Sequence, residues 1–345
     1  MKLLFVDGTE GFNPKRLKEK ATGGILSSLT ILPALLAKKG HEVYIKSVHN
    51  VTETIDGVHY LSQSEPLQKA DVVIFNRNVV NRPLVEQAKA TGAKIVWWLH
   101  DVVDPRYLQD DGALHIPNIL ALSDYCKETY KSFYSLPEYK FTVIPNGVNK
   151  ELFNPGNYSK RNPNLFIFAS APIKGMKPLG FTINNLKRID PKNELRMYTS
   201  QKLHDLQDDA IVNYILKLAK EQGATVLEPI SQDELAKVMK EAWILLMPNS
   251  YPEICSNLLL QAKASGLPVV ASPTGSIPEF LKTGGVITKT SPLDLYLWWK
   301  DFAEETIKLA MDKERHERLS KEAPEDVLSW PEVADKWDKF LGELK

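Results

Sequence analysis

Several features that would assign this 345-residue chain to a simple class are scarce or missing. It has two cysteines, Cys126 and Cys255, so neither a disulfide framework nor a thiolate metal centre is predicted. The chain has 43 basic residues (Lys and Arg) and 43 acidic residues (Asp and Glu), so its formal charge is zero. This balance argues against nucleic acid as the main partner. The apolar runs are too short for a signal peptide or a membrane span. We therefore predict a cytoplasmic protein and leave peripheral membrane contact open.

The glycine-rich signatures of common nucleotide-binding proteins are also absent. No G-x-G-x-x-G follows the first apolar strand, and G-x-x-x-x-G-K-[ST] does not occur. The chain is therefore a poor candidate for a dinucleotide dehydrogenase or a P-loop ATPase. Histidine and cysteine are not clustered with the spacing of zinc ligands, so no metal site is predicted.

Short apolar strands and amphipathic helices alternate along most of the chain. Typical strands are "KLLFVDG", "ADVVIFN", "AKIVWWL" and, later, "LFIFAS". The alternation pauses at "NGVNKELFNPGNYSKRNPN", where Asn, Gly and Pro have the composition of a linker. This pattern predicts an α/β fold of two halves, each with a parallel sheet and helices on both of its faces. The length of the chain also favours two domains.

The last part of the sequence is helical instead. In "DVLSWPEVADKWDKFLGELK", Trp330, Trp337 and Phe340 recur near i, i+7 and i+10 and so share one face of a helix. An apolar face of this kind needs a surface to bury against. The other half of the chain is one candidate for that surface.

Two stretches of the first half have the composition of ligand sites. Gly23 and Gly24 open a helix, where backbone N–H groups can approach a phosphate, although a tight turn explains the glycines equally well. His100 and Asp101 follow the strand "AKIVWWL", and open α/β sheets bind ligands beyond the carboxyl ends of their strands. A lone histidine is more often structural, but this position favours a site residue.

A lysine lies in the corresponding place in the second half. Lys174 and Gly175, in "FASAPIKGM", follow the first strand of that half. A lysine in such a loop can neutralise a phosphate. An exposed lysine without a ligand is the plainer alternative.

The stretch "YPEICSNLLLQAKASG" contains the most suggestive spacing. Glu253 precedes a helix with Ser256 as its predicted N-cap, which leaves the N–H groups of Asn257 and Leu258 for an anion. Gln261 lies roughly 7 to 8 Å further along the helix axis. A nucleotide sugar fits this layout, with its sugar at Glu253, its diphosphate at the helix start and its ribose at Gln261. The alternative is a buried helix preceded by an incidental acid.

Taken in order, these motifs resemble the retaining glycosyltransferases of family four, which have the GT-B fold. The resemblance extends over nearly the whole chain and includes "TGGILSSLTILPALLAKKGHEV", "LHDV", "ILALSDYCKETY", "FTVIPNGVNKELFNP", "SAPIKGM" and "SWPEVADKW". It implies two Rossmann-like domains that face each other across a cleft. Residues 1–155 would bind the acceptor, residues 156–325 would bind the nucleotide sugar, and a helix in residues 326–345 would pack back on the first domain.

The resemblance also implies roles for individual residues. Catalytic roles fall on His100, Lys174 and Glu253. The family's Glu-x7-Glu motif falls on Glu253 and Gln261, so an amide replaces the second acid, and Ser170 or its neighbour stands where the family often has an arginine. The implied donor contacts are Gly23, Gly24, Ser170, Lys174, Glu253, Cys255, Ser256, Asn257, Leu258 and Gln261.

The activity that the resemblance implies is transfer of a sugar from a UDP- or GDP-linked donor to an acceptor hydroxyl, with the anomeric configuration retained. The leaving phosphate can itself accept the proton of the acceptor, so neither a metal nor a further cofactor is expected. The acceptor could be a glycan, a polysaccharide, a lipid or a small molecule. Lys15, Arg16, Lys18 and Lys20 in the first domain's loop suit an anionic acceptor or a membrane surface, although a solvated basic loop is the simpler interpretation.

Two other functions stay open at this point. Gln261 and the missing arginine are also compatible with a degenerate GT-B protein that binds a partner and has little or no transferase activity. A nucleotide-sugar epimerase of the same fold is a third alternative, and "PEICSNLLLQAKASG" favours a transferase over it.

Overall fold

The computed structural model describes residues 1–8, 15, 23–47, 52–62, 64–77, 82–103, 114–200 and 210–344. These residues form two compact units. The first unit comprises the N-terminal strand, Ile25–Gly147 and Leu328–Lys345, and the second comprises Val148–Val327, with Gly23 and Gly24 grouped with it. Arg16, Lys18 and Lys20 of the basic loop lie outside the described residues.

Fourteen strands and eleven helices lie within the described residues. The strands are β1 (Lys2–Val6), β2 (Glu42–Lys46), β3 (Glu53–Ile55), β4 (Val58–Leu61), β5 (Val72–Asn76), β6 (Lys94–Trp98), β7 (Asn118–Ala121), β8 (Phe141–Val143), β9 (Leu165–Phe168), β10 (Glu194–Tyr198), β11 (Thr225–Leu227), β12 (Ile244–Met247), β13 (Val269–Ala271) and β14 (Gly285–Ile287). The helices are α1 (Gly24–Lys38), α2 (Arg82–Ala90), α3 (Asp124–Tyr134), α4 (Lys177–Ile189), α5 (Ala210–Glu221), α6 (Gln232–Glu241), α7 (Asn257–Ala264), α8 (Ile277–Phe280), α9 (Leu295–Met311), α10 (Lys313–Glu322) and α11 (Trp330–Glu343).

Each unit is built on one sheet. In the described residues the first sheet has the strand order β3-β4-β2-β1-β5-β6-β7-β8, and the second has the order β11-β10-β9-β12-β13-β14. Every neighbouring pair is parallel except β3 and β4. The α/β class with parallel sheets, predicted from the alternation of strands and helices, is confirmed.

The hairpin of β3 and β4 was missed from the sequence. Asp56 (φ 50°) and Gly57 (φ 81°) both adopt the left-handed conformation, which is the backbone of a type I′ turn. An Asp-Gly pair is a recognised signal for this turn. The flanking strands, of three and four residues, are too short to stand out by their composition.

Helix α11 contributes its aromatic face to the core of the first unit. The ring of Trp337 packs edge-on against Trp98, with 5.0 Å between centroids, and lies 6.2 Å from the ring of Phe5. A capping box of Ser329 and Glu332 fixes the start of the helix. At that start, a Cβ on Gly147 would lie 2.7 Å from both N and Cα of Trp330, so only glycine allows the two backbones to approach.

In the second unit, side chains alternate between the two faces of the sheet. Phe166 and Phe168 of β9 pack in one apolar cluster with α4, α5 and α9. Leu165 and Ile167 of the same strand pack in another cluster with α6 and α7. Helices therefore cover both faces of the sheet, as its fully buried strands require.

Both sheets reverse their strand order once, beside their first strand. In the first sheet the reversal falls between β1 and β5, and in the second it falls between β9 and β12. The loops that follow these paired strands leave in opposite directions and open a crevice at the carboxyl ends. These two points are where each unit is expected to bind a ligand.

A buried arginine ties together two helix ends in the second unit. The guanidinium of Arg161 donates to the carbonyl oxygens of Met239 and Ala242, at the end of α6, and of Ser265 and Gly266, at the end of α7, at 2.7–2.9 Å. These carbonyls carry the negative ends of the helix dipoles, so a cation is favourable there. Burial lowers the pKa of Arg161 to about 10, which still leaves it charged at neutral pH.

His316 is held in the same region as a neutral ring. It stacks on Trp243 at 3.5 Å between centroids, and its Nε2 lies 2.7 Å from the carbonyl oxygen of Trp243. Its Nδ1 lies 3.1 Å from the hydroxyl of Tyr158. Burial, above all, lowers the pKa of His316 to about 4; the charge of Arg161 acts in the same direction, and the bond to Trp243 opposes them.

This lowered pKa predicts a loss of stability in acid. The unfolded chain takes up a proton at His316 below about pH 6.5, whereas the folded chain resists it down to a pKa of about 4. The contribution is therefore complete above pH 6.5 and is lost as the pH falls towards 4, by about 2 to 4 kcal/mol. Between about pH 7 and pH 5, we expect the urea midpoint of His316→Gln to fall by less than the urea midpoint of the wild-type chain. His59→Gln, on strand β4, is the control. If the urea midpoint of His316→Gln fell by as much as that of the wild-type chain, His316 would not be the source of the acid sensitivity.

Candidate functional site

Lys174 and Glu253 form an ion pair across the strand reversal of the second sheet. Lys174 ends a short 3-10 helix that follows β9, and Glu253 lies in the loop that follows β12. The Nζ of Lys174 is 3.0 Å from Oε1 and 3.3 Å from Oε2 of Glu253. The carboxylate side chain is only 9% exposed, whereas that of the lysine is 27% exposed. The pair therefore presents its cation towards solvent and keeps its anion beneath.

The carboxylate of Glu253 is held from a second side as well. The buried side-chain amide of Asn249 donates to Oε1 of Glu253 at 3.0 Å. Asn249 was not predicted as a site residue. Its position two residues after the end of strand β12 was the available signal, because polar residues at the carboxyl ends of strands are the usual ligands of this fold.

Two glycines fix the loops that carry the ion pair. Gly275 has φ 58°, and a Cβ there would overlap the backbone N and O of Glu253. Gly175 has φ 130°, and a Cβ there would overlap the carbonyl oxygen of Pro248. The backbone N–H of Ser276 donates to the carbonyl of Glu253 at 2.7 Å. Positive φ and close backbone approach both require glycine, so the loops that hold Glu253 and Lys174 are rigidly specified.

Helix α7 begins at Asn257, four residues after Glu253. Ser256 occupies the N-cap position, as predicted, but its hydroxyl makes no capping hydrogen bond. The first backbone bond of the helix runs from the N–H of Leu260 to the carbonyl of Ser256, at 3.1 Å. The N–H of Leu258 comes before the first N–H that is bonded within the helix. It points out of the N-terminus along the helix axis, where the helix dipole is positive.

The start of α7 also meets the predicted glycine pair. The side-chain amide of Asn257 donates to the carbonyl oxygen of Gly24 at 3.1 Å, and both residues are grouped in the second unit. A Cβ on Gly24 would lie 3.1 Å from Nδ2 of Asn257. Gly24 is thus placed beside a predicted donor contact, and Gly23 directly precedes it.

Gln261 lies one turn further along α7, and its amide is already engaged. Its Nε2 donates to Oε1 of Gln232, the first residue of α6, at 2.7 Å. Its own Oε1 keeps its acceptor capacity. Of the remaining predicted contacts, Ser170 is half-buried and its carbonyl accepts from the hydroxyl of Thr199 at 2.6 Å. Cys255 is half-buried and is not part of a disulfide.

His100, the predicted site residue of the first unit, is buried beyond the end of β6. Its ring contacts Trp98 edge-on, with 4.2 Å between centroids. Burial, assisted by the charge of Arg77, lowers the pKa of His100 to about 3, so its imidazole is neutral at physiological pH. Arg77 is itself paired with Asp101, Nε to Oδ2 at 2.9 Å and Nη2 to Oδ1 at 3.2 Å.

The second unit thus brings together, at one sheet edge, groups that suit an anion and groups that suit hydroxyls. A part-exposed ammonium can offset phosphate charge, the N-terminus of α7 adds partial positive charge, and a buried carboxylate can accept from hydroxyl groups. In the described part of the chain, no group of three or more His, Cys, Asp or Glu side chains could hold a metal ion. No helix among the same residues has the length and apolar character to cross a bilayer.

Comparison with known sequences agrees with this chemistry. Residues 163–312 match the family model described as glycosyl transferases group 1. A curated relative, the MMP alpha-(1->4)-mannosyltransferase of Mycolicibacterium hassiacum, is 26% identical over 226 residues, which cover 63% of this chain and 53% of the relative. The chain therefore spans about half the length of that curated relative.

Comparison with solved structures extends over the whole chain. The sucrose-phosphate synthase of Thermosynechococcus elongatus superposes with a TM-score of 0.77 at 16% identity, covering 100% of this chain and 99% of the other. The Anabaena protein Alr3699/HepE, solved in complex with UDP-glucose, superposes with a TM-score of 0.76 at 16% identity and covers 100% of both chains. The predicted GT-B fold class is confirmed by this similarity.

Proposed function

We propose that this chain, whose residues 163–312 match the model of the group 1 glycosyl transferases, transfers a sugar from a nucleotide-diphosphate donor to an acceptor hydroxyl with retention of configuration. The observation that carries the proposal is the pairing of Lys174 with Glu253 beside the start of α7, at the strand reversal of the second sheet. The Anabaena structure with UDP-glucose supports a UDP-linked donor, with a GDP-linked donor as the alternative.

In the proposed reaction, the bond between C1 of the donor sugar and the β-phosphate oxygen breaks as the acceptor oxygen bonds to C1 on the same face. The electron pair of the broken bond stays on the phosphate. The acceptor's proton passes to an oxygen of that leaving phosphate, so the step is balanced without a protein base. Its demand on the protein is stabilisation of negative charge on the diphosphate, which Lys174 and the N–H groups of α7 supply. Such a site needs no metal ion to offset that charge.

The roles of the other residues follow from their contacts. Glu253, oriented by Asn249, accepts hydrogen bonds from hydroxyl groups of the donor sugar. Gln261 accepts from the ribose through Oε1 while its amide stays on Gln232. Gly24, beside Asn257, allows the backbone to approach the diphosphate, and the neutral ring of His100 meets polar atoms of the sugars without adding charge.

The test is turnover with defined donors. The intact protein is incubated with UDP- and GDP-sugars and a panel of hydroxyl acceptors, with and without EDTA, and nucleoside diphosphate release is followed. The proposal expects release that depends on the acceptor and persists in EDTA, and an anomeric proton coupling in the product that matches the donor. No release, together with no binding of UDP or GDP by calorimetry, would reject the proposal and favour a binding protein on this frame. In that case Glu253→Ala would also behave as wild type.

The amide at position 261 gives a separate prediction. A carboxylate can accept from both ribose hydroxyls, whereas the amide of Gln261 has a single acceptor oxygen. We expect Gln261→Glu to bind UDP about 5- to 30-fold more tightly, which corresponds to about 1 to 2 kcal/mol. Calorimetric titration with UDP measures the effect. Gln232→Ala, which removes only the partner of the amide, is the control, and unchanged or weaker binding by Gln261→Glu would assign residue 261 another role.

A further inference from the structure

Several buried polar atoms of the first unit have no hydrogen-bond partner in the described part of the chain, and four of them lie at or just beyond the carboxyl ends of neighbouring strands. They are Oγ of Ser47, Oδ1 of Asn76, Nε1 of Trp98 and Nε2 of His100. Each residue is more than nine-tenths buried. Buried polar groups are almost always paired in native proteins, and an unpaired one indicates a missing water or ligand. Four together, on neighbouring strands, are a strong indication of a ligand.

The strand register places these residues in a row at the carboxyl edge of the first sheet. The N–H of Asp7 donates to the carbonyl of Lys46 at 2.9 Å, which puts Asp7 beside Ser47. The side chain of Asn76 donates to Oδ1 of Asp7 at 2.8 Å, and Asn76 pairs in register with Trp98. Strands β2, β1, β5 and β6 are successive neighbours, so the row is about 14 Å wide at the usual strand spacing.

The row also lies at the point where ligands of this fold class bind. The hydrogen bond between Asn76 and Asp7 crosses the strand reversal between β1 and β5. Open α/β sheets bind their ligands beyond the carboxyl ends of the strands at such a reversal. The Lys174–Glu253 pair occupies the corresponding place in the second sheet.

The chemistry of the four atoms selects a class of ligand. The hydroxyl of Ser47 both donates and accepts, Oδ1 of Asn76 only accepts, and the indole N–H of Trp98 only donates. The neutral ring of His100 offers a fourth uncharged group. A hydroxyl group also donates and accepts, so several hydroxyls on one ring can satisfy such a mixed set. A phosphate, which mainly accepts, would meet Oδ1 of Asn76 and the adjacent carboxylate of Asp7 unfavourably.

We propose that Ser47, Asn76, Trp98 and His100 bind the acceptor of the transfer reaction, and that this acceptor presents a neutral polyol such as an uncharged sugar ring. This inference rests on the proposed function, and it selects neutral acceptors over the anionic ones suggested by the basic loop. The four atoms hydrogen-bond to hydroxyl groups that flank the reacting one.

The inference is tested by binding, so that it can fail separately from the activity. Saturation-transfer NMR is recorded on the intact chain with saturating UDP and methyl glycosides of glucose, mannose and galactose, each at about 10 mM because single-ring ligands bind weakly. Glucose 6-phosphate is the charged comparison. We expect saturation of at least one neutral glycoside and a weaker signal from the phosphate.

Two single-residue variants locate the site. Ser47→Ala and Trp98→Phe each remove one unpaired group, and we expect each to weaken glycoside binding about five- to tenfold and to leave UDP affinity unchanged. Ser47→Ala is also expected to unfold at the wild-type temperature or above, because it replaces a buried unpaired hydroxyl with an apolar group. Trp98→Phe also removes ring volume that packs on Phe5 and Trp337, so its thermal unfolding is recorded to show that the variant is folded. Thr288→Val is the matched control, because Oγ1 of Thr288 is a buried unpaired hydroxyl of the second unit.

Three results would overturn the inference. These are an absence of saturation for every neutral glycoside, stronger binding of glucose 6-phosphate, and wild-type glycoside binding in both variants. If UDP binds in any of these cases, the donor half of the proposed function still stands. If the glycosides bind as expected and UDP does not, the polyol site stands and the proposed function fails.

Discussion

Replacing Lys174 with methionine is expected to lower kcat for sugar transfer by about 10²- to 10³-fold. The Nζ of this lysine already lies 3.0 Å from Glu253, beside the start of α7, so it needs little rearrangement to meet a diphosphate. Its charge is most favourable once the phosphate has gained the electron pair of the broken bond, and the loss therefore falls on kcat more than on KM. Initial rates of nucleoside diphosphate release at saturating donor measure the effect.

A loss of activity in Lys174→Met could also come from damage to the fold, because Glu253 would stay buried without its cation. The double variant Lys174→Met/Glu253→Gln separates the two effects. It removes both charges and keeps the amide of Asn249 as a partner for residue 253, so we expect wild-type thermal stability with no recovery of turnover. Lys174→Arg should retain part of the activity. A kcat for Lys174→Met within about threefold of wild type would show that the lysine does not meet the leaving phosphate.

Replacing Arg161 with methionine is expected to lower the free energy of unfolding of the second unit by about 3 to 5 kcal/mol. The guanidinium is the hydrogen-bond donor for four buried carbonyls at the ends of α6 and α7, and methionine fills its volume without donating. The carbonyls of Met239, Ala242 and Ser265 would then lose their side-chain donor, although that of Gly266 keeps the hydroxyl of Ser320, and the cation opposite two helix dipoles would be lost. Urea denaturation followed by tryptophan fluorescence measures the shift.

Arg196 provides the matched control for this stability effect. It forms a similar fork of two bonds, to Glu194 at 2.8 and 3.0 Å, but both side chains are about one-third exposed. Pairs exposed to solvent contribute little, so Arg196→Met is expected to cost less than about 1 kcal/mol. Equal effects of the two substitutions would mean that burial of the Arg161 bonds does not determine their contribution.

The sequence predicted the parts of the second unit's site but not their pairing. Lys174 was selected because it follows an apolar strand and Glu253 because it precedes a helix, and the structure places both residues there. Their mutual ion pair depends on β12 lying beside β9, with β10 and β11 on the opposite side. Strand order of this kind is set by packing across the whole sheet, and local residue patterns do not contain it.

Local composition was misleading in the segment between the two halves. Its Asn, Gly and Pro content predicted a linker, yet Val148, Phe153 and Arg161 are buried in the second unit. Turn-forming residues predict the conformation of the backbone, but they do not predict which side chains between them are buried. In the same way, Asn76 and Ser47 passed unnoticed, because only the register of three neighbouring strands brings them to one edge.

The placement of helix α11 has a consequence for the order in which the chain can fold during synthesis. The first unit is discontinuous, because residues 148–327 separate its main segment from Leu328–Lys345. Trp337, which packs against Phe5 and Trp98, leaves the ribosome only after the whole of residues 148–327 has been made. The second unit, which is nearly continuous in sequence, can therefore complete its core first. Phe5 and Trp98 are synthesised well before Trp337. Their aromatic surface therefore stays uncovered, and available to chaperones, until helix α11 has been made.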